Sequence, residues 1–174
     1  MKNRGEIFSL DIHNFRLDEL RKRIKRAGAD TIRIKTVLED ESPVEFHNEA
    51  DFVLVDAPCS GTGTIRRNPG MKWSVTPIMI DELRVKQAKI LSNYAQCVKV
   101  NGTIVYATCS LMKEENEEVV ESFLASHPGF ALRDPKEVLA RYNLDTLVNN
   151  RYFRLLPHHQ GTDGFFAAIM KRTQ

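Results

Sequence analysis

Short apolar runs alternate along this chain with longer amphipathic stretches, and the alternation predicts its elements in order. Residues 6–10, with Ile7, Phe8 and Leu10, read as a short buried strand that ends in Asp11. Residues 14–24 follow with Leu17, Leu20 and Ile24 at helical spacing, Asn14 placed as the cap and Gly28 as the stop. Residues 31–38 alternate and are rich in β-branched side chains, the pattern of a second strand. After a polar loop around Pro43, residues 52–55 are wholly apolar, as in a strand inside a covered parallel sheet, and Asp56 ends the run.

A loop over 57–75 carries Gly61, Gly63 and Gly70. Thr76-Pro77 then opens a long helix, proline being tolerated in a first turn, with Leu83, Ile90, Tyr94 and Cys97 marking its buried side. Gly102 precedes a strand over 103–108. The acidic run 114–118 opens another helix, where negative charge suits the N-terminal end of the dipole. Strands near 130–132, 152–155 and 165–170 complete the chain. This alternation predicts an α/β, doubly wound sheet. The last two strands follow one another without a helix, so one of them is expected to run antiparallel. No repeat or linker interrupts the chain, which reads as a single domain over residues 1–174.

Composition narrows the class. The 174 residues are 42% apolar and 28% charged, enough apolar content for one packed core and too much for disorder. No apolar run reaches the ~18 residues of a membrane span, and the first six residues contain no secretory apolar region. Three cysteines cannot form a closed disulfide set and none is in a C-x-x-C pair, so a reduced, cytoplasmic protein without a zinc site is expected. A formal charge of +2 makes no case for nucleic acid by itself. That case rests on local clusters.

In an open parallel sheet, ligands bind beyond the carboxyl ends of the strands. Three such ends carry unusual residues: Asp11; Asp56-Ala57-Pro58-Cys59-Ser60-Gly61-Thr62-Gly63; and Thr108-Cys109-Ser110. If the latter two strands are neighbours, Cys59 and Cys109 face one another across one crevice. Each cysteine is either a small core filler or a thiolate activated by a helix end or a nearby cation. Cys97 fits the first description. Asp11 is either a turn aspartate or an acceptor for the hydroxyls of a nucleoside ribose. Arg66, Arg67, Lys72 and Trp73 form either a solvated loop or a nucleic-acid contact, with cations on phosphates and the indole free to stack. The basic face Arg21, Lys22, Arg23, Lys25 and Arg26 reads as solvated, and His158-His159 as loop without metal-ligand spacing.

Taken together these segments resemble the Sun/Fmu family of RNA cytosine-C5 methyltransferases. The stretch from Asp56 to Gly63, with Arg66-Arg67-Asn68-Pro69 and Lys72-Trp73, is similar to the family's long signature. Tyr106-Ala107-Thr108-Cys109-Ser110 with Glu115-Asn116 is similar to a second block, and Thr162-Asp163-Gly164-Phe165-Phe166-Ala167-Ala168 to the closing block. The resemblance implies a Rossmann-like S-adenosylmethionine-dependent methyltransferase sheet and methylation of RNA, taken to be ribosomal. It assigns Cys109 as the nucleophile that adds to cytosine C6, and Cys59 to removal of the C5 proton and release of the adduct. Asp56 is expected to contact the base, the cofactor or both. Asp11, and Asp40 after the second strand, are assigned to the cofactor.

The family's glycine-rich segment on its first strand and turn is absent from these residues, so the chain reads as the carboxyl-terminal portion of a catalytic domain. Without that normally central strand, those at 6–10 and 52–55 lose a shared neighbour. They are expected to pair directly or to self-associate through open edges. Two other functions compete: a non-catalytic RNA-binding fragment, and a cysteine hydrolase using Cys109. The hydrolase needs a histidine base, and none of the five histidines sits at another identified strand end.

Overall fold

The computed structural model of the chain describes residues 3–39, 41–144, 148–149 and 151–174. Where the sequence reads as one domain, the chain partitions into two compact units, Met1–Glu41 and Ser42–Gln174. The smaller contains strand β1 (Ile7–Asp11), helix α1 (Asn14–Ala27) and strand β2 (Ile32–Thr36). β1 and β2 pair in parallel, Ile7 opposite Ile32 through Asp11 opposite Thr36. Leu17 is the buried anchor of α1, and Gly28 closes the helix in the left-handed conformation, which its missing Cβ permits. The N-cap is His13, not Asn14, and its side chain makes no cap bond. Asn14 instead accepts a 2.5 Å hydrogen bond from the Thr36 hydroxyl, tying the helix start to the end of β2.

The larger unit contains β3 (Ala50–Asp56), α2 (Pro77–Ala95), β4 (Val98–Thr108), α3 (Glu117–Ser126), β5 (Phe130–Arg133), α4 (Pro135–Leu139), β6 (Val148–Asn149), β7 (Tyr152–Leu155), α5 (Pro157–Gln160) and β8 (Phe165–Arg172). Its six-stranded sheet runs in the order β3-β4-β8-β7-β6, with β5 also on β8. β3 and β4 are parallel, as a β-helix-β crossover requires. β8 is antiparallel to β4, β5 and β7, so the antiparallel pairing expected of the last two strands is present; the short helix α5 lies between them in the chain.

One face of this sheet holds the core. Ile104 and Tyr106 of β4 stand beside Ala168 and Met170 of β8, under Leu91 and Ala95 of α2 and Val119, Val120 and Phe123 of α3. Thr76 starts α2 by accepting the Met79 N–H at 3.2 Å, and Pro77 follows in the first turn. The buried residues of α2 are Ile80, Gln87, Leu91 and Ala95, whereas Leu83, Ile90 and Tyr94 are half-buried. Cys97 is buried beyond the helix end. Apolarity alone misplaces this stripe because its central member, Gln87, is polar.

Two further expectations change. β3 is not covered on both faces: Val55 is buried, while Phe52 is 80% and Leu54 69% exposed. The physical reason is that α2 and α3 supply the core of this unit on one side of the sheet. Nor do β1 and β3 pair directly. Among the described residues β1 pairs with β2 and β3 with β4, in separate sheets. No described helix is long and apolar enough to cross a membrane.

The asymmetry of the two faces is testable by urea unfolding. Phe166→Ala, at a fully buried ring packed edge-on to Tyr106, is expected to cost about 3–5 kcal/mol. Phe52→Ala is expected to change stability by less than about 0.5 kcal/mol, since most of that ring is already in solvent.

Candidate active site

The parallel ladder fixes where the chemistry sits. Asp56, the last residue of β3, lies opposite Ala107, and the Ala57 N–H bonds to the Ala107 carbonyl at 3.0 Å. The two strands therefore release their loops side by side. Cys59 and Cys109 end up with sulfurs 3.2 Å apart, in the shared crevice that their strand-end positions predict. Both are half-buried free thiols.

Backbone bonds weave three loops around this pair. The Gly63 N–H bonds to the Cys109 carbonyl at 2.9 Å, and the Gly164 N–H to the Gly63 carbonyl at 2.8 Å. A Cβ on Gly63 would lie 2.7 Å from the Cys109 carbonyl oxygen, so glycine is needed there for close approach. Gly61, at φ +71°, supplies the left-handed turn into residues 62–64. The closing block thus belongs to the site: residues 161–164 pack against the loop of Cys59.

A buried polar cluster lies beside the thiols; the resemblance includes its Glu115 and Asn116 in the second block but assigns them no role. Glu115, wholly buried, accepts the Ser60 N–H at 2.8 Å and the Ser60 hydroxyl at 2.5 Å, the Ser110 hydroxyl, and Gln87 Nε2 at 3.0 Å. Gln87 Nε2 also donates to the Pro58 carbonyl at 2.8 Å, and Gln87 Oε1 is left buried without a partner. Asn116 accepts the Thr108 hydroxyl at 2.5 Å and donates to the Ser110 carbonyl at 2.9 Å. The acidic run at 114–118 gives no warning of this, because Glu115 sits ahead of α3 rather than on its solvated first turn. The available signals were Glu115-Asn116 within the second block of the resemblance and a polar Gln87 inside an apolar helix stripe.

The two thiols are electrically unequal. The hydrogen bond from Cys59 lowers Cys109 to about 7, against opposing burial and the charges of Asp56 and Glu115. The same bond, seconded by burial, pushes Cys59 far up. The directions of the two shifts agree with Cys59 as the donor and Cys109 as the acceptor of this bond, which favours ionisation at Cys109 over Cys59. Burial raises Cys97 to about 11, which leaves it inert.

The remaining sequence-predicted residues fall as follows. Asp56 is exposed at the end of β3. Asp11 ends β1, accepts the His13 N–H at 2.8 Å and lies 3.6 Å from Arg16 Nη1. Asp40 lies outside the described residues. Arg66 donates to the Gly161 carbonyl at 2.8 Å and Arg67 pairs with Asp163, so both arginines reach to the closing block. Lys72 sits 5.5 Å from the ring centroid of Trp73, which is 83% exposed. No group of three His, Cys, Asp or Glu side chains among the described residues is placed to hold a metal.

A family model described as 16S rRNA methyltransferase RsmB/F matches residues 1–171. The chain belongs to the RsmB/F methyltransferase family. It is 38% identical over 173 residues to a probable ribosomal RNA small subunit methyltransferase B of Bacillus subtilis, covering 99% of this chain and 39% of that protein. A relative of the same description from Synechocystis is 37% identical over 176 residues, with the same coverage of both chains. This RsmB/F chain thus spans about two-fifths of the length of the curated relatives it matches. Among solved structures, PH0851 superposes with a TM-score of 0.86 at 31% identity, covering 99% of this chain and 38% of the other. The sheet is that of Rossmann-like methyltransferases.

Alkylation by iodoacetamide, read peptide by peptide, tests the inequality of the thiols. Cys109 is expected to gain reactivity as pH rises through about 7, while Cys59 stays slow to high pH. In Cys59→Ala the Cys109 midpoint is expected to move upward, since the hydrogen bond that lowers it is gone. An unmoved midpoint would show that Cys59 does not set the charge on Cys109.

Proposed function

We propose that this chain carries the catalytic thiols for S-adenosylmethionine-dependent methylation of cytosine C5 in small-subunit ribosomal RNA, through a covalent Cys109–C6 adduct. The observation that carries this reading is the sulfur pair itself: two thiols 3.2 Å apart at neighbouring parallel strand ends, with ionisation favoured at Cys109. The family and its relatives' names supply the substrate class. Work on ribosomal RNA belongs to the cytoplasm, where thiols stay reduced.

Cytosine C5 is a weak nucleophile. Addition of the Cys109 thiolate to C6 would form an S–C bond and push an electron pair toward C5, making C5 able to displace a methyl group from a sulfonium, whose thioether would leave with the electrons of the broken S–CH3 bond. Once sulfur 109 is bonded to carbon it no longer offers a charged acceptor to Cys59. The main cause of the raised Cys59 value would thereby be removed, and Cys59, once its half-exposed sulfur has given its own proton to solvent, could take the C5 proton. The electrons of the broken C5–H bond then expel Cys109 as thiolate and restore the ring.

The residues present fit the cofactor. Asp11 is an acceptor-only carboxylate held at a strand end by the His13 N–H, suited to two ribose hydroxyls. Bound there, S-adenosylmethionine would supply the sulfonium methyl. Asp56, exposed at the end of β3, is assigned to the base, the cofactor or both. Trp73 and Lys72 offer a stacking surface and a cation for RNA, with Arg66 and Arg67 beside them in sequence. The target base must leave its stack to reach the thiols.

The test has two stages. Calorimetric titration with S-adenosylhomocysteine is expected to give binding that is weakened at least about tenfold in Asp11→Ala. With RNA and labelled cofactor, Cys109→Ala is expected to abolish transfer, whereas Cys59→Ala leaves RNA covalently attached through denaturing electrophoresis. An adduct that survives in Cys109→Ala would reverse the two roles. RNA binding indifferent to the cofactor would favour the non-catalytic RNA-binding alternative.

A further inference from the structure

We propose that Glu115 is the positioning residue of the thiol pair: its buried carboxylate ties the Cys59 loop to the Cys109 loop through Ser60 and Ser110. The inference rests on the catalytic reading of the two cysteines and assigns Glu115 no contact with substrate.

The geometry is specific. Each cysteine is followed directly by a serine, and both serine hydroxyls donate to the same carboxylate oxygen, Glu115 Oε2. The other oxygen takes the Ser60 N–H and Gln87 Nε2, and Gln87 in turn holds the Pro58 carbonyl on the far side of Cys59. Cys59 is thus bracketed by Pro58 and Ser60, both tied to the cluster around Glu115. Cys109 is bracketed by Thr108, which donates to Asn116, and by Ser110. All four groups that bond the carboxylate are donors, so every lone pair they use is in place.

Glu115 is unsuited to activate the pair electrically, because its charge opposes the thiolate on Cys109. What it offers is register. Two thiols that must act on neighbouring atoms of one base in sequence lose efficiency steeply with small displacements, about a hundredfold for 1 Å in well-oriented reactions.

The test measures register directly, in the 174-residue chain, without RNA or cofactor. Diamide oxidises a dithiol to a disulfide: the two sulfurs lose two protons and two electrons, an S–S bond forms, and the reagent's N=N bond is reduced to a hydrazine. In the parent chain Cys59 and Cys109 are expected to close rapidly, read by mass spectrometry after blocking free thiols. Glu115→Gln is expected to slow closure by about tenfold or more: an amide oxygen can still accept from both serine hydroxyls, but the NH2 beside it is a donor and cannot accept the Ser60 N–H and Gln87 Nε2. Over the same variant the Cys109 alkylation midpoint is expected to move up, because loss of register breaks the Cys59 hydrogen bond, the largest influence on that thiol, while only the smaller opposing charge of Glu115 is removed. A charge effect alone would move the midpoint down, and comparing closure at a pH above both midpoints separates positioning from loss of reactivity. Buried Cys97 must stay unalkylated, which reports an intact core.

Closure of Glu115→Gln at the parent rate overturns the proposal, as does a parent chain whose two thiols fail to close. Should Glu115→Gln expose Cys97, Ser110→Ala decides: it removes one tether and is expected to slow closure severalfold, and parental closure there overturns the proposal. Because none of these readouts uses methyl transfer, failure of the catalytic reading is distinguishable from failure of this one.

Discussion

The site depends on the parallel pairing of β3 with β4. A parallel ladder sends both strands toward the same end of the sheet, so the loops that follow are neighbours although 50 residues separate their cysteines. An antiparallel pair would have sent the two loops to opposite ends. The crossover through α2 makes the parallel arrangement possible, and the burial of Leu91, Ala95, Ile104 and Tyr106 between helix and strand makes it persist. Core and chemistry are therefore linked. The face of β4 that holds Ile104 and Tyr106 in the core leads directly into Thr108, Cys109 and Ser110.

The polar layer under the thiols is the costly part of this arrangement. A wholly buried carboxylate is tolerated only when its oxygens are well supplied with donors, and Glu115 has four. Gln87 gives both hydrogens of its amide nitrogen to this layer and leaves its oxygen unpartnered, a sacrifice of about 1–3 kcal/mol that an apolar residue would not incur. Leucine at that position would satisfy the helix stripe but not the Pro58 carbonyl. The polar residue persists because the loops, rather than the core, need it.

Much of the fold was legible because it is written in local periodicity. The strands at 52–56 and 103–108, the helix from Pro77 and the antiparallel close all follow from patterns of a few residues. The juxtaposition of Cys59 and Cys109 was legible too, since it needs only two strand ends and their adjacency. Gln87 and Glu115 were not. Their significance depends on burial that no local pattern reports, and a carboxylate in an acidic run ordinarily reads as solvated. The exposed face of β3 escaped for a related reason: Phe52 and Leu54 declare that they are apolar, not what covers them. Asn14 was misread because a side chain able to cap its own helix can also bond across to β2.

One hydrogen bond decides how the thiols divide their labour. Two carboxylates, Asp56 and Glu115, disfavour a negative charge on Cys109, and burial does the same. The bond from Cys59, helped by a backbone hydrogen bond at Cys109, outweighs all three, and the same bond together with burial pushes Cys59 up. Such a contact is conditional on its acceptor being charged. Under the proposed addition to C6, forming a bond from sulfur 109 to carbon would consume that charge and end the hydrogen bond that holds the Cys59 proton.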